Sequence, residues 1–178
     1  MRLNLMIKTS PLIERAMAFA REKHKDQLRK YTLIPYWTHV EDVADLVAGV
    51  TDDERVIAAA ILHDTVEDTD TTLNELADAF GARVASLVDE LTDRYADPAL
   101  GNRAKRKAKE CERLAMVSIE AMTIKLADLI DNTKTITFYD PKFAPTYLKE
   151  KAALLEVLKA GDPTLWKLAS EQVKEGCA

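Results

Sequence analysis

Residues 58–68 read Ala58-Ala59-Ala60-Ile61-Leu62-His63-Asp64-Thr65-Val66-Glu67-Asp68, and this stretch indicates both the fold and the chemistry. No residue from Ile57 to Leu62 has a polar side chain, which is typical of a buried segment. The charges that follow stand at the edge of a core, where charge is costly unless it is paired or bound to metal. In a helix, His63 would lie above Glu67 and Asp64 above Asp68. His63 and Asp64 would project about 100° apart and could still reach one small cation. We therefore predict half of a metal site with its own acid/base pair.

Length and composition favour one globular domain. The chain has 178 residues, of which 47% are hydrophobic, so it can bury a sizeable core. No apolar run approaches the roughly 18 residues of a membrane span, and the first residues lack the layout of a signal peptide. Cys111 and Cys177 match no metal or redox spacing, which is typical of reduced cysteines in a cytoplasmic protein. The net charge of −5 argues against nucleic acid as the main partner, so an anionic substrate needs local basic residues.

The hydrophobic periodicity is helical almost throughout. It predicts an all-α fold of about eight or nine short helices, in a single domain spanning residues 1–178 with its core at about 10–160. Ser10 and Pro11 are suited to begin the first helix. Capping-box patterns, which begin helices, recur along the chain, and so do glycines that are suited to end helices. The capping boxes are Thr38 with Glu41, Thr51 with Glu54, and Thr72 with Glu75, and the glycines are Gly49 and Gly81.

A second polar feature runs along the helix predicted for residues 121–137. Lys125, Asp128, Asn132 and Thr135 follow one another at offsets of three, seven and ten from Lys125, which places them on one helical face. The remaining positions are largely apolar, so this polar stripe needs partners inside a buried helix. A metal for Asp128 and a substrate for the other three would supply them. The alternative is a buried hydrogen-bond network without a ligand.

The candidate ligand types suit a divalent transition metal. Taken alone, His39 and His24 are more typical of capping or core histidines than of ligands. Two histidines and two aspartates together suit Mn²⁺, Fe²⁺ or Zn²⁺, and the carboxylates favour Mn²⁺. Glu67 and Asp68 follow the ligands by one turn, where they can orient or deprotonate a water. Their alternative interpretation is an exposed acidic helix end.

Basic residues form two groups that could meet phosphates. Arg29 and Lys30 follow the first helix, and residues 103–109 form a basic helix after a loop. Arg103, with Asn102 and Arg106, stands at the helix start, where free N–H groups also favour anions. The alternative for the whole run is a solvated helix face.

The order of these motifs resembles a known family. His39, then His63-Asp64, then Asp128 is the H…HD…D pattern of HD-domain metal phosphohydrolases. The wider match, over about residues 10–160, resembles the hydrolase domain of RelA/SpoT enzymes, and the chain length is similar to that of the small alarmone hydrolases. The residues that carry the match are Ala18-Phe-Ala-x-x-Lys-His24-x-x-Gln27-x-Arg29-Lys30, Pro35-Tyr36-x-x-His39, Leu62-His-Asp-x-Val-Glu-Asp-Thr69, Phe80-Gly81 and Ile124-Lys-Leu-Ala-Asp128-x-x-x-Asn132.

The resemblance implies a reaction and a set of roles. The reaction is Mn²⁺-dependent hydrolysis of the 3′-diphosphate of (p)ppGpp, which releases pyrophosphate and GDP or GTP. The substrate is a small nucleotide, and neither nucleic acid nor a membrane is expected as a partner. The implied metal ligands are His39, His63, Asp64 and Asp128, and the implied water-activating pair is Glu67 and Asp68. Asn132 and Thr135 match positions that contact the nucleotide, and Arg29 and Lys30 match the stretch that reads the purine. Arg103 falls near the position of a lysine that contacts phosphate in the family.

Two departures from the family pattern leave the base open. Residues 31–34, Tyr31-Thr-Leu-Ile34, replace a short Gly-Glu-containing link, and Val40 replaces the proline that usually follows the histidine at position 39. Because the first departure lies in the purine-reading stretch, both guanine and adenine alarmones, (p)ppGpp and (p)ppApp, remain candidates. Other candidates are another HD-domain nucleotidase, a non-catalytic nucleotide-binding regulator and a purely structural helical domain. The sequence leaves the oligomeric state and any regulatory partner open.

Overall fold

A computed structural model gives the structure of residues 7–176, so Cys177 lies outside the described residues. Within this range the chain is helical, with one isolated bridge between Leu28 and Pro35 in place of a sheet. The prediction of an all-α fold is confirmed. The helices are α1 Pro11–Lys23, α2 Trp37–Ala48, α3 Glu54–Leu62, α4 Thr65–Asp68, α5 Leu73–Phe80, α6 Ala82–Leu91, α7 Arg103–Leu114, α8 Ile119–Tyr139, α9 Ala144–Val157 and α10 Pro163–Gly176, with a 3₁₀ turn at Pro98–Leu100.

The chain divides into two compact units, of which unit one ends at Thr92 and unit two begins at Asp93. Helix α3 is the centre of unit one and packs against α1, α2 and α6. Every residue from Val56 to Leu62 is at most 4% exposed, as the apolar sequence predicts. Each fully buried isoleucine or leucine here contributes about 1.5–3 kcal/mol. The interpretation of the whole chain as one domain stays a prediction.

Unit two is built around α8, which packs against α9 and α10, while α7 packs against α9. The close approach of the α9–α10 turn to α8 requires a glycine at position 161. A Cβ on Gly161 would lie 2.8 Å from Cδ1 of Leu126 and 3.2 Å from the α8 backbone. The next residue, Asp162, donates its backbone N–H to Oγ1 of Thr123 at 3.0 Å. These contacts fix one end of α8 and therefore the orientation of its polar stripe.

The predicted helix ends are correct in part. Ser10 and Thr72 cap α1 and α5 through their hydroxyls, and Gly49 and Gly81 stand at the ends of α2 and α5. Gly81 has φ +90°, a conformation that favours glycine. Two capping boxes are wrong. Thr38 lies inside α2 and donates to the Pro35 carbonyl, and Asp53 caps α3 in place of Thr51 because its carboxylate reaches the Arg55 N–H.

No helix in residues 7–176 combines the length and apolar character that a membrane crossing needs.

Candidate active site

The opening stretch is two helices rather than one. Helix α3 ends at Leu62, His63 is its C-cap, and α4 begins at Thr65. The buried hydroxyl of Thr65 donates to the Leu62 carbonyl at 2.7 Å, which satisfies the end of α3 and helps to define the turn. The Asp68 N–H still donates to the Asp64 carbonyl at 2.9 Å. The turn therefore separates the predicted ligands from the predicted water-activating pair, which lies on α4.

Two histidines and a carboxylate meet at this turn. Oδ2 of Asp64 lies 3.0 Å from Nε2 of His63 and 3.6 Å from Nε2 of His39. His39 comes from α2, whose first turn places its ring 5.3 Å from the His63 ring, centroid to centroid. Both histidines are at most 2% exposed. Unit one thus brings together three of the four predicted metal ligands, His39, His63 and Asp64.

The protonation of His63 leaves a lone pair for a ligand. Its Nδ1 lies 2.8 Å from the Ala60 carbonyl oxygen, which is an acceptor, so Nδ1 carries a proton and donates it. In the neutral ring Nε2 is then unprotonated and faces the Asp64 carboxylate oxygen. Metal-binding histidines commonly have this arrangement, with one nitrogen donating to a carbonyl and the other coordinating.

The spacing of the three donor atoms suits one divalent ion. Bonds of about 2.1 Å set neighbouring donor atoms about 3.0 Å apart at 90° and about 3.6 Å apart at 120°. The separations of Oδ2 of Asp64 from the two histidine nitrogens, 3.0 and 3.6 Å, lie at these values. Imidazole nitrogen with carboxylate oxygen is also a mixed donor set that divalent transition metals accept. The residues present therefore fit a divalent metal.

Asp64 is held as a carboxylate in spite of burial. Burial raises its pKa, but the adjacent imidazoles of His63 and His39 outweigh this effect and hold the pKa well below the usual range. The Tyr36 hydroxyl donates to the same oxygen, Oδ2, at 2.5 Å. No spacing in the sequence singles out Tyr36 as a site residue, although it stands inside the Pro-Tyr motif.

The two predicted catalytic carboxylates are exposed on α4. Glu67 and Asp68 both have exposed side chains, which is compatible with a water-activating pair and with the alternative, an exposed acidic helix end. Oδ2 of Asp68 accepts a hydrogen bond from Nε2 of Gln27 at 2.8 Å. The segment between α1 and α2 therefore contacts α4. The hydrogen bond joins positions 41 apart, which explains why sequence spacing does not reveal it.

Unit two contains the predicted polar stripe of α8. Asp128 is 7% exposed, and its carboxylate lies 2.8 Å from Nζ of Lys125 and accepts a hydrogen bond from the Asn132 amide at 2.5 Å. Thr135 lies one turn further, and its hydroxyl lies 3.5 Å from the Asp131 carbonyl. Lys125, Asp128 and Asn132 thus form one contiguous group, and Thr135 is bonded to the helix backbone beside it.

The predicted basic residues have several different partners. Arg103 makes two hydrogen bonds of 2.8 Å to Glu150, and Arg106 donates to carbonyls of the preceding loop, including those of Gly101 and Ala96. Arg29 is 9% exposed, and Nζ of Lys30 lies 4.9 Å from the Tyr31 ring centroid. Two arginines of the basic helix α7 therefore form hydrogen bonds within unit two, so this face of the helix is not simply solvated.

One cation near the stripe was not expected from the sequence. Nζ of Lys151, on α9, lies 5.0 Å from the Tyr147 ring centroid. Burial lowers its pKa to about 8, with repulsion from Lys125 and Lys107 adding to the effect and Asp128 and Glu150 opposing it. Lys107 pairs with Asp93 at 2.7 Å. Unit two thus brings three lysines from three helices near three carboxylates, Asp93, Asp128 and Glu150.

The comparison with protein families supplies the decisive observation. The family described as HD domain matches residues 16–159, which is most of the chain. The chain belongs to the HD-domain family. In this HD-domain chain, the matched range contains every residue that the sequence singled out as a ligand, a catalytic group or a substrate contact.

Several curated relatives of the HD-domain chain are named as alarmone hydrolases. Human guanosine-3′,5′-bis(diphosphate) 3′-pyrophosphohydrolase MESH1 is 42% identical over 131 residues, which cover 71% of this chain and 70% of that protein. The zebrafish (Danio rerio) MESH1 is 39% identical over 137 residues, covering 75% and 73%. The enzyme of the same chemical name from Aquifex aeolicus is 36% identical over 165 residues, but the match spans only 22% of its length.

The fold has a counterpart among solved structures. A structure described as a metazoan orthologue of SpoT that hydrolyses ppGpp has a TM-score of 0.85 and 30% identity, and the match covers 95% of this chain and 97% of that one. The likeness in fold and the match to the HD-domain family agree with the resemblance inferred from the motifs.

Proposed function

We propose that this protein is a metal-dependent alarmone 3′-pyrophosphohydrolase, which cleaves the 3′-diphosphate of (p)ppGpp or (p)ppApp and releases pyrophosphate. The observation that carries the proposal is that Nε2 of His39 and Nε2 of His63 both lie close to one carboxylate oxygen of Asp64, at the position of the HD motif. The names of the MESH1 relatives support the reaction and the guanosine substrate.

We propose Mn²⁺ as the ion and Asp128 as its fourth ligand, supported by the donor types and by the family resemblance. The chemistry that such an ion supplies is a lower pKa for a bound water and positive charge beside the phosphate oxygens. The Ala60 carbonyl fixes the His63 ring with Nε2 free of a proton, and Tyr36 fixes the carboxylate of Asp64.

Glu67 and Asp68 would act on the attacking water. An exposed carboxylate next to the ligands can accept the proton that water loses as it attacks phosphorus. Two carboxylates allow one to orient the water while the other takes the proton. Arg29 and Lys30 would then contact the purine, and Arg103, Lys125, Asn132 and Thr135 the phosphates and sugar, in a cytoplasmic enzyme that acts on a small nucleotide.

The experiment is a product assay with manganese present and three substrates, ppGpp, ppApp and dAMP, resolved by anion exchange. We expect pyrophosphate with GDP from ppGpp, or with ADP from ppApp, and no product from dAMP. The ratio of the two alarmone rates identifies the base. Orthophosphate release from dAMP, with both alarmones intact, would instead identify a nucleotidase of the same family and would overturn the proposal.

A further inference from the structure

The residue that contacts Asp68 belongs to a hydrogen-bond chain that leads into the core of unit one. Nε2 of Gln27 donates to Oδ2 of Asp68 at 2.8 Å, and Oε1 of the same amide lies 2.6 Å from Nδ1 of His24. His24 is fully buried, Gln27 is half-buried and Asp68 is exposed. These hydrogen bonds therefore lead from the buried end of α1 to a carboxylate that faces solvent.

The chemistry of the three groups determines which atom donates in each of these two hydrogen bonds. The Asp68 carboxylate only accepts hydrogen bonds, so the NH₂ side of the Gln27 amide must face it. The carbonyl side of the amide then faces His24, and Nδ1 of His24 must carry the proton that it donates. Nε2 of His24 is buried and has no hydrogen-bond partner among residues 7–176, which agrees with a ring proton on Nδ1.

His24 thereby removes an ambiguity that a glutamine alone would have. The two ends of the amide have nearly the same shape, so a free Gln27 can flip. In the flipped orientation its carbonyl oxygen would face the Asp68 carboxylate and repel it. Because Nδ1 of His24 is a donor, only one orientation satisfies both neighbours, and that orientation points an N–H at Asp68.

The backbone around these residues is also fixed. The Gln27 N–H donates to the His24 carbonyl at 3.0 Å, and the Tyr36 N–H donates to the Gln27 carbonyl at 2.9 Å. The His24 ring packs on the Tyr36 ring, with centroids 5.0 Å apart, and the Tyr36 hydroxyl reaches Asp64. One connecting segment thus holds a predicted ligand at one end and a predicted water-activating group at the other.

We infer that His24 and Gln27 are positioning residues for Asp68: they hold its carboxylate by one oxygen, Oδ2, and leave the other oxygen to accept a proton from water. The inference rests on the proposed function for the role of Asp68. Neither residue touches the reacting atoms. Their contribution is the orientation of a base, which acts on the turnover rate more than on substrate or metal affinity.

The first test uses two variants of Gln27, assayed with manganese and ppGpp. Gln27→Leu keeps the approximate shape and removes both hydrogen bonds, and we expect kcat to fall about tenfold to a hundredfold with KM within about twofold of wild type. Gln27→Glu keeps an acceptor for His24 but sets a carboxylate against Asp68, and we expect at least the same loss. The Mn²⁺ affinity, measured by calorimetry, stays at the wild-type value in both.

A matched pair at position 24 separates hydrogen bonding from packing. Both His24→Leu and His24→Asn remove the ring, but the asparagine amide restores a donor near the position of Nδ1. We expect His24→Leu to lose kcat as Gln27→Leu does, and His24→Asn to recover most of that loss. Equal kcat values in the two variants, with equal thermal midpoints, would reduce the role of His24 to packing and overturn the inference.

Lys23→Met is the control for general loosening of the α4 region. Lys23 pairs with Asp70 at 3.0 Å and with Glu75 at 3.3 Å, so its loss removes a neighbouring attachment but leaves the bond to Asp68. We expect kcat of Lys23→Met to stay within about twofold of wild type. A loss equal to that of Gln27→Leu would mean that attachment of the segment, and not orientation of Asp68, limits the rate.

A measurement without substrate keeps the inference separate from the proposed function. Long-range ¹H–¹⁵N NMR correlation reports which nitrogen of His24 carries the proton. We expect the Nδ1–H form in the wild type, and in Gln27→Leu a mixture with the Nε2–H form. The Nε2–H form in the wild type would overturn the inference even if the protein hydrolyses ppGpp, whereas Nδ1–H with no hydrolysis would refute only the proposed function.

Discussion

The two units surround their central carboxylates with different chemistry. In unit one, the carboxylate of Asp64 faces two imidazoles and a phenol. In unit two, Asp128 faces the ammonium of Lys125 and the amide of Asn132, with the charges of Lys107 and Lys151 nearby. The first group offers lone pairs, and the second offers the ammonium groups of lysines.

This difference indicates that the two groups suit different ligands. Lone pairs on nitrogen and carboxylate oxygen bind metal ions, whereas lysine ammonium groups bind phosphate oxygens. Changes to the imidazole and carboxylate groups around Asp64 should therefore act on metal affinity and turnover, and changes to the lysines of unit two on substrate affinity and its dependence on salt. Three predictions test this contrast, and a fourth tests the environment of the lysines in unit two.

The largest effect is expected for Asp64→Asn. The amide removes the charge between the two histidines, so we expect Mn²⁺ affinity to fall below detection by calorimetry and kcat to fall at least about a thousandfold. Asp52→Asn is the control in the same unit, since Asp52 is 83% exposed and pairs with Lys8 at the surface. An Asp64→Asn protein that binds Mn²⁺ normally would contradict the interpretation of unit one.

For Lys125→Met we expect a smaller loss of activity than for Asp64→Asn, seen as a lower kcat/KM. The substitution removes a charge beside Asp128 and keeps most of the side-chain volume, so we expect kcat/KM for ppGpp to fall about tenfold to a hundredfold, mainly through KM. The salt dependence of KM should weaken as well, because fewer charges meet the phosphates. Lys134→Met, an exposed lysine on the same helix, is the control. A change in kcat alone would argue against the contrast.

Two tyrosine hydroxyls give the next comparison, one in each unit. Tyr36→Phe removes the donor to Asp64, and we expect Mn²⁺ affinity to fall about tenfold, as is typical for loss of a group that orients a ligand. Tyr147→Phe removes a hydroxyl 3.3 Å from Oγ1 of Thr133 in unit two, and its Mn²⁺ affinity should not change. Equal losses in both variants would remove the distinction between the units.

The smallest effect is on stability and concerns Lys151. Its pKa in the folded protein is about 8, below the usual 10.5, so between these values the unfolded chain binds a proton that the folded chain lacks. Stability therefore receives a contribution from Lys151 that rises with pH across this window. Urea unfolding at about pH 7 and pH 9.5 should show a smaller rise in Lys151→Met than in wild type. The exposed Lys149→Met should behave as wild type, and the same rise in all three proteins would contradict the shift.

Much of the fold follows from the sequence because local patterns determine it. The apolar run before His63 predicts the buried α3, and Ser10 and Thr72 predict real helix caps because each hydroxyl reaches an N–H three residues on. The cap at Thr51 is wrong because Asp53 competes at short range, and the cap at Thr38 is wrong because α2 already begins at Trp37. A pattern gives the existence of a helix more reliably than its first residue.

The site is harder to predict because its contacts join distant positions. The turn after Leu62 depends on a buried threonine hydroxyl, and the sequence pattern is equally compatible with one continuous helix. The contacts of Gln27 with Asp68 and of Arg103 with Glu150 join positions 41 and 47 apart. The lowered pKa of Lys151 requires burial by several helices together. The assignment of metal ligands and catalytic groups stays a prediction that the experiments above address.

Metal-dependent release of pyrophosphate is tested most directly by a manganese titration of metal-stripped protein with ppGpp as substrate. We expect no hydrolysis without metal, and a rate of pyrophosphate release that rises with added Mn²⁺ and saturates near one equivalent per chain, with GDP formed in equal amount. Asp64→Asn should remain inactive throughout the titration. Hydrolysis by the metal-stripped protein, or release of orthophosphate in place of pyrophosphate, would contradict this function.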